Sequence, residues 1–154
     1  MFKKVRNRID SPLSGKCVRM ADLPDPVFAS GMLGEGIGIR PMTDVVTLAA
    51  PMDGVATGVS DTGHAVGITA PDGKTAVLVH AGIDTVALGG AGFTLHVREG
   101  EKVRRGQPIL TMDAAQVERA GYSSIVVVVL TESCTPLHPV TKEQINVGET
   151  LFEA

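Results

Sequence analysis

Eighteen glycines and nine prolines interrupt this 154-residue chain every few positions. Between them stand short apolar runs: GIGIR, DVVTLA, AVGIT, TAVLV, FTLHV and IVVVVL. Such spacing predicts many short strands joined by tight turns, the pattern of an all-β antiparallel sandwich or barrel. Aromatic residues supply only 3% of the chain, with no tryptophan. The core is therefore expected from Val, Ile, Leu and Ala, residues that suit pleated, half-buried strands. One short segment reads as helix, DAAQVERAG, with Asp113 as N-cap, Gln116 completing a capping box and Gly121 as the stop.

Two internal echoes suggest a sandwich built twice from one motif. SPLSG at 11–15 resembles APMDG at 50–54, and VRRGQPIL at 103–110 resembles INVGETLF at 145–152. Each Pro-x-x-Gly is expected to open a strand at a turn, and each Val/Ile-x-x-Gly to close a hairpin.

Length and composition give a basic N-terminal tail at 1–10 followed by one domain at 11–154. With 44% hydrophobic and 20% charged residues the chain has a soluble, globular composition. A formal net charge of −3 and scarce aromatics exclude a nucleic-acid-binding face. Cys17 and Cys134 are widely separated and read as reduced thiols, consistent with a cytoplasmic location. The start MFKKVRNRID lacks the apolar stretch of a secretory signal, and the longest apolar run, IVVVVL, is too short to span a bilayer. Membrane contact is expected to be peripheral at most, through the basic start.

The chemistry concentrates on two histidines. In TGHAVGITAPDGKTAVLVH, two apolar runs flank a Pro-Asp-Gly turn, a hairpin signal. A three-residue loop centred on Asp72 places His64 and His80, each eight positions from that centre, directly opposite one another on one face. A loop of two or four residues would slip this register and send one ring to the other face. Paired imidazoles suit metal binding, acid/base work or acceptance of a phosphoryl group on a ring nitrogen. For the last of these one nitrogen must be unprotonated, and the tautomer follows from what the other nitrogen donates to. The Gly82 carbonyl is placed to accept a hydrogen bond from the protonated nitrogen of His80, and the Thr62 hydroxyl to orient His64. Ala81 and Gly82 leave room for a partner to approach, with Asp84 as an anchor for a cation on that partner. His96 alternates against Phe93, Leu95 and Val97 and is expected to face solvent. His138 has no acidic or histidine neighbour in sequence.

These residues also carry a resemblance. SPLSG, LPDPVFASGMLGEGIGIRP, APMDG, DTGHAVGI, LVHAGIDTVALGGAGF and VREGEKVRRGQPIL, in that order, resemble the IIA component of the glucose family of the bacterial sugar phosphotransferase system. The resemblance runs from about Ser11 to Phe152. It implies an antiparallel β-sandwich that relays a phosphoryl group, taking it from the histidine phosphocarrier protein HPr and passing it to a cysteine of a IIB domain. On this resemblance His80 is the phosphorylated residue, His64 hydrogen-bonds the phosphoryl group and Thr62 orients the His64 ring. Asp25 and Asp84 correspond to acidic residues that meet basic side chains of the carrier. Val27, Phe28, Met32, Leu33, Leu78 and Val86 fall on the apolar docking surface. Ser60, Leu78 and Ala81 stand where familiar members often carry Phe, differences that bear on partner affinity. No cofactor is implied, and regulatory targets that sense the phosphorylation state are compatible with the same relay. The sugar is chosen by the IIC permease, and the starting Met with the complete pattern favours a free-standing protein.

A zinc metallopeptidase is the alternative from another class, because HAGID has a His-x-x-x-Asp spacing and His64 could add a ligand. A catalytic zinc takes three protein ligands and an open position, and the third histidine is missing here. Zinc held by His64 and His80 alone would be a side property of a partner interface. A lipoyl or biotinyl carrier is excluded because Lys74 and Lys102 lack the flanking residues of a modified lysine.

Overall fold

The computed structural model describes residues 8–153. Its strands are β1 (Ile9–Asp10), β2 (Gly15–Arg19), β3 (Glu35–Pro41), β4 (Val45–Ala49), β5 (Gly54–Val59), β6 (Ala65–Thr69), β7 (Ala76–Ile83), β8 (Phe93–Leu95), β9 (Lys102–Val103), β10 (Pro108–Asp113), β11 (Ser123–Glu132), β12 (His138–Pro139), β13 (Gln144–Ile145) and β14 (Thr150–Glu153). All pairings are antiparallel. An eight-stranded sheet in the order β13-β2-β3-β11-β7-β6-β5-β9 is accompanied by two three-stranded sheets, β1-β14-β12 and β4-β10-β8. The main core joins the small sheets, through Ile9, Leu48, Leu110, Met112, Leu151 and Phe152, to the large one, through Ile39, Val66, Ile68, Val79, Val126 and Val128. As composition requires, it is built mostly of aliphatic side chains.

The internal echoes are structural repeats. Gly15 pairs with Ile145 at one edge of the large sheet, and Gly54 pairs with Val103 at the other. A Cβ on Gly15 would lie 2.2 Å from the Arg40 carbonyl oxygen, and one on Gly54 would lie 2.2 Å from that of Thr69. Glycine is required twice for the same close approach of two strands. The turns match as well. Ser11 exchanges backbone hydrogen bonds with Gly148 and Glu149, and Ala50 does so with Gly106 and Gln107. The two halves, β13-β2-β3-β11 and β7-β6-β5-β9, abut where β11 pairs with β7.

Helix α2 (Ala114–Arg119) forms where expected, with the Asp113 carboxylate accepting the Gln116 N–H at 3.0 Å. The reciprocal half of the capping box is replaced, because the Asp113 N–H donates to the Gly92 carbonyl. The expectation of one helix needs correction. A single-turn helix, α1 (Pro26–Ala29), is capped by Asp25 with Pro26 in its first turn, and 3₁₀ turns cover Met20–Asp22 and Thr85–Leu88. The expected tail boundary at residue 10 runs through β1: Ile9 is fully buried, and the buried Asp10 carboxylate bonds Arg8 at 2.8 Å and Arg105 at 3.0 Å. The rest of that tail, residues 1–7 with its Lys3, Lys4 and Arg6, lies outside the described residues.

A second, smaller core lies on the other face of the large sheet. Leu23, Phe28, Ile83, Ile125, Val127 and Val129 are buried together there, with Val18, Met20 and Leu78 against them. His80 faces Val127 across the β7–β11 ladder and so stands at this cluster. Segment 20–33 thereby positions the site: α1 carries Phe28 over the sheet beside the His80 ring.

Candidate functional site

His80 lies near the end of β7, opposite Ala65 rather than His64. The hairpin loop has four residues, 71–74, because Ala70 N–H bonds the Thr75 carbonyl and the Asp72 carboxylate takes the Lys74 N–H. The register is therefore one residue from that of a loop centred on Asp72, and the expected direct pairing of the histidines does not occur. Their rings meet nonetheless, with centroids 5.0 Å apart at an interplanar angle of 77°. His64 precedes the first residue of β6, and its carbonyl still accepts the Ala81 N–H at 2.7 Å, while Gly63 before it turns the chain at a φ of 77°. From that position its ring turns toward that of His80.

His80 Nδ1 lies 2.7 Å from the Gly82 carbonyl oxygen. A carbonyl only accepts, so Nδ1 carries the proton and Nε2 of the neutral ring keeps its lone pair. Gly82 is required for this geometry: its φ is 81°, and a Cβ would come within 2.3 Å of Thr85 Cγ2 and 2.9 Å of the Ser123 carbonyl oxygen. The buried Thr85 hydroxyl donates to the Ala81 carbonyl at 2.6 Å and stabilises the same turn. Asp84 follows in the left-handed region at φ 60°, a conformation that Asp tolerates better than most residues.

His64 Nδ1 is 2.6 Å from Thr62 Oγ1 and 3.3 Å from Ser60 Oγ. Among the described residues no hydrogen bond engages Nε2 of either histidine. Phe28 meets the His80 ring edge-on at 5.2 Å, and Phe93 meets His64 at 6.5 Å. The order Phe28, His80, His64, Phe93 makes a row of four rings with the two imidazoles in the middle. Burial pushes the His64 pKa down, with the nearby His80 adding to the effect. Burial also lowers that of His80, against opposing contributions from the Gly82 carbonyl, Asp25 and Asp84. Both rings are thus neutral at pH 7, with the carboxylates of Asp25 and Asp84 near enough to stabilise positive charge on His80.

The expected apolar surface divides in two. Val27 (48% exposed), Met32 (81%), Leu33 (41%) and Val86 (58%) are open to solvent. Phe28 is buried against the His80 ring, and Leu78 is half-buried against the smaller core. One oxygen of Asp25 is committed to the N–H groups of Val27 and Phe28. Sequence reasoning missed Phe93, whose scarcity among four phenylalanines was a usable signal, and passed over the proximity of Ser60 to His64. His96 is exposed as expected and bonds Thr111 through Nε2 at 2.7 Å. His138, without an acidic neighbour in sequence, lies 3.6 Å from Glu35.

Among the described residues no group of three or more His, Cys, Asp or Glu side chains is placed to hold a metal ion. Cys17 and Cys134 are free thiols, and burial raises the pKa of Cys17. No helix among the described residues is long and apolar enough to cross a membrane.

Comparisons with known proteins agree with this geometry. The sequence profile described as "phosphoenolpyruvate-dependent sugar phosphotransferase system, EIIA 1" matches residues 7–135. The chain is 37% identical over 147 residues to the PTS system mannose-specific EIIBCA component of Corynebacterium glutamicum, covering 94% of this chain and 21% of that protein. It thus spans about a fifth of the length of that relative. It is 33% identical over 160 residues to the PTS system glucose-specific EIIA component of Oceanobacillus iheyensis, covering 97% of this chain and 95% of that one. Its fold superposes on the glucose permease IIA from Mycoplasma capricolum with a TM-score of 0.90 at 28% identity, covering 99% of this chain and 98% of the other. Profile, relatives and fold converge on one conclusion: this chain belongs to the EIIA 1 family of the phosphoenolpyruvate-dependent sugar phosphotransferase system.

Proposed function

We propose that the protein relays a phosphoryl group through His80 during sugar uptake, accepting it from phosphorylated HPr and passing it to a cysteine of a IIB domain. The observation that carries this reading is the Nδ1–Gly82 bond, which leaves Nε2 of a neutral imidazole free beside a second ring. In the first transfer the His80 Nε2 lone pair forms a bond to phosphorus, while the donor's P–N bond breaks and its electron pair stays on the donor imidazole. His80 keeps its Nδ1 proton, and the positive charge that develops on its ring is stabilised by the Gly82 carbonyl and by Asp25 and Asp84. The equatorial oxygens carry negative charge in a loose transition state, so positioned hydrogen-bond donors contribute more than covalent activation. An N–H on His64 Nε2 supplies one such donor. The second transfer runs the same chemistry outward to a thiolate.

No metal or organic cofactor enters these steps, because the donor arrives as a reactive phosphohistidine. Exposed Val27, Met32, Leu33 and Val86 with the acidic Asp84 form a face for brief docking of two successive partners on the cytoplasmic side. The EIIB portion of the relatives' names supports a IIB partner. Intact mass after incubation with enzyme I, HPr and phosphoenolpyruvate tests the reading. One acid-labile phosphoryl group should appear in wild type and be lost in His80→Ala. His64→Gln, which keeps a donor, should accept the group but relay it poorly; onward transfer at the normal rate would remove His64 from the scheme.

A further inference from the structure

Two hydroxyl groups converge on one nitrogen of His64. Thr62 Oγ1 is 2.6 Å from Nδ1, and Ser60 Oγ is 3.3 Å from it. The Thr62 contact alone fits either tautomer, as O–H donating to an unprotonated Nδ1 or as Nδ1–H donating to oxygen. Ser60 biases that choice. Its Oγ accepts the Ala65 N–H at 3.1 Å, and its own N–H donates to the Ala65 carbonyl at 3.0 Å. Two bonds across the 60–65 turn thereby hold the hydroxyl oxygen in place with one lone pair occupied. The acceptor the described residues offer its proton is His64 Nδ1. A protonated Nδ1 has no lone pair for that hydrogen, whereas an unprotonated one accepts it. Two converging O–H groups favour the lone pair at Nδ1 and so the proton at Nε2. Burial keeps the ring neutral, so the tautomer has to be decided.

We infer that Ser60 is a positioning residue, a second hydroxyl donor that holds His64 in the Nε2–H tautomer needed to donate a hydrogen bond to the transferring group. The inference rests on the relay reading for its purpose, but the tautomer is measurable without any phosphoryl transfer. Sequence reasoning treated Ser60 only as a departure from a usual phenylalanine. In the folded chain it joins the turn that carries His64 to the ring itself.

The test is long-range ¹H–¹⁵N correlation on the unphosphorylated, ¹⁵N-histidine-labelled full chain. Wild type is compared with Ser60→Ala, Thr62→Val, the double variant and Ser60→Thr, together with the rate of onward transfer to a IIB domain. Wild-type His64 should be in the Nε2–H form. Ser60→Ala should raise the Nδ1–H share, most strongly when Thr62 is also replaced, and slow onward transfer by roughly two- to tenfold, the effect of losing one neutral hydrogen bond. Ser60→Thr should restore both. Loss of the Ala65 contact alone would add independently to Thr62→Val, whereas donors sharing one acceptor are coupled. Unchanged tautomer and rate in both backgrounds, or strict additivity, would overturn the inference. A wild type that gains no phosphoryl group would refute the relay, while the tautomer measurement would still decide the role of Ser60.

Discussion

His80 faces Ala65 across the strand ladder, yet its ring meets that of His64 at 5.0 Å. His64 stands one residue before β6, its carbonyl still accepting the Ala81 N–H at 2.7 Å while Gly63 turns the chain just ahead of it, so the bend at Gly63 matters as much as the hairpin itself. Four consequences of this arrangement are open to measurement.

The first concerns pH and stability. Both histidines have folded-state pKa values below the ordinary value, through burial first in each case. As pH falls below about 6.5 the unfolded chain binds protons before the folded one does. Stability should therefore decline from that point and stop declining on this account once both folded-state rings are protonated. Chemical unfolding of wild type and of the His64→Gln/His80→Gln double variant across this window isolates the contribution. Parallel curves would show that the rings are not buried as described.

Gly82→Ala combines a left-handed backbone with collisions against Thr85 and the Ser123 carbonyl. We expect a loss of about 2–5 kcal/mol, from the αL cost plus overpacking. Denaturant midpoints with an unchanged m-value would report it, and a loss below about 1 kcal/mol would mean the turn relaxes freely.

Phe28→Ala should cost about 3 kcal/mol, as truncation of a buried aromatic residue does. It should also let water reach His80 and move that pKa upward, because burial is the largest cause of its depression. NMR titration of the His80 ring separates the two effects. Instability without a pKa change would place Phe28 in packing alone.

Met32→Glu and Val86→Glu alter exposed side chains and should leave stability within about 0.5 kcal/mol of wild type. They should weaken acceptance from HPr by raising the carrier concentration needed for half-maximal rate. Normal dependence on HPr in both variants would move the docking face elsewhere.

The sequence was informative where the physics is local. Apolar runs between glycines marked strands, and Asp113 with Gln116 and Gly121 marked α2. The two echoes marked a duplication because each glycine meets the same demand for close strand approach. The histidine pair was legible, but through a register that the loop does not adopt: Pro71-Asp72-Gly73 gives no sign that Lys74 is held by the Asp72 carboxylate and kept from the ladder. Helix α1 has its start signal, Asp25-Pro26, but is one turn long and shows no periodicity. Burial of Phe28 and the approach of Glu35 to His138 depend on contacts between segments far apart in the chain.

The interleaving of the two halves has a temporal consequence. β6 and β7 are neighbours in sequence, and once residue 83 has left the ribosome both histidines are present in one hairpin. The strand that backs His80, β11, ends only at Glu132, and the Gly15–Ile145 pairing at the sheet edge waits for residue 145. A chain still being synthesised thus presents the imidazoles before it has the wall that desolvates them. The site is complete only after β11 has been made, and truncations before β11 should give polypeptides that carry both histidines without the wall that buries the His80 ring.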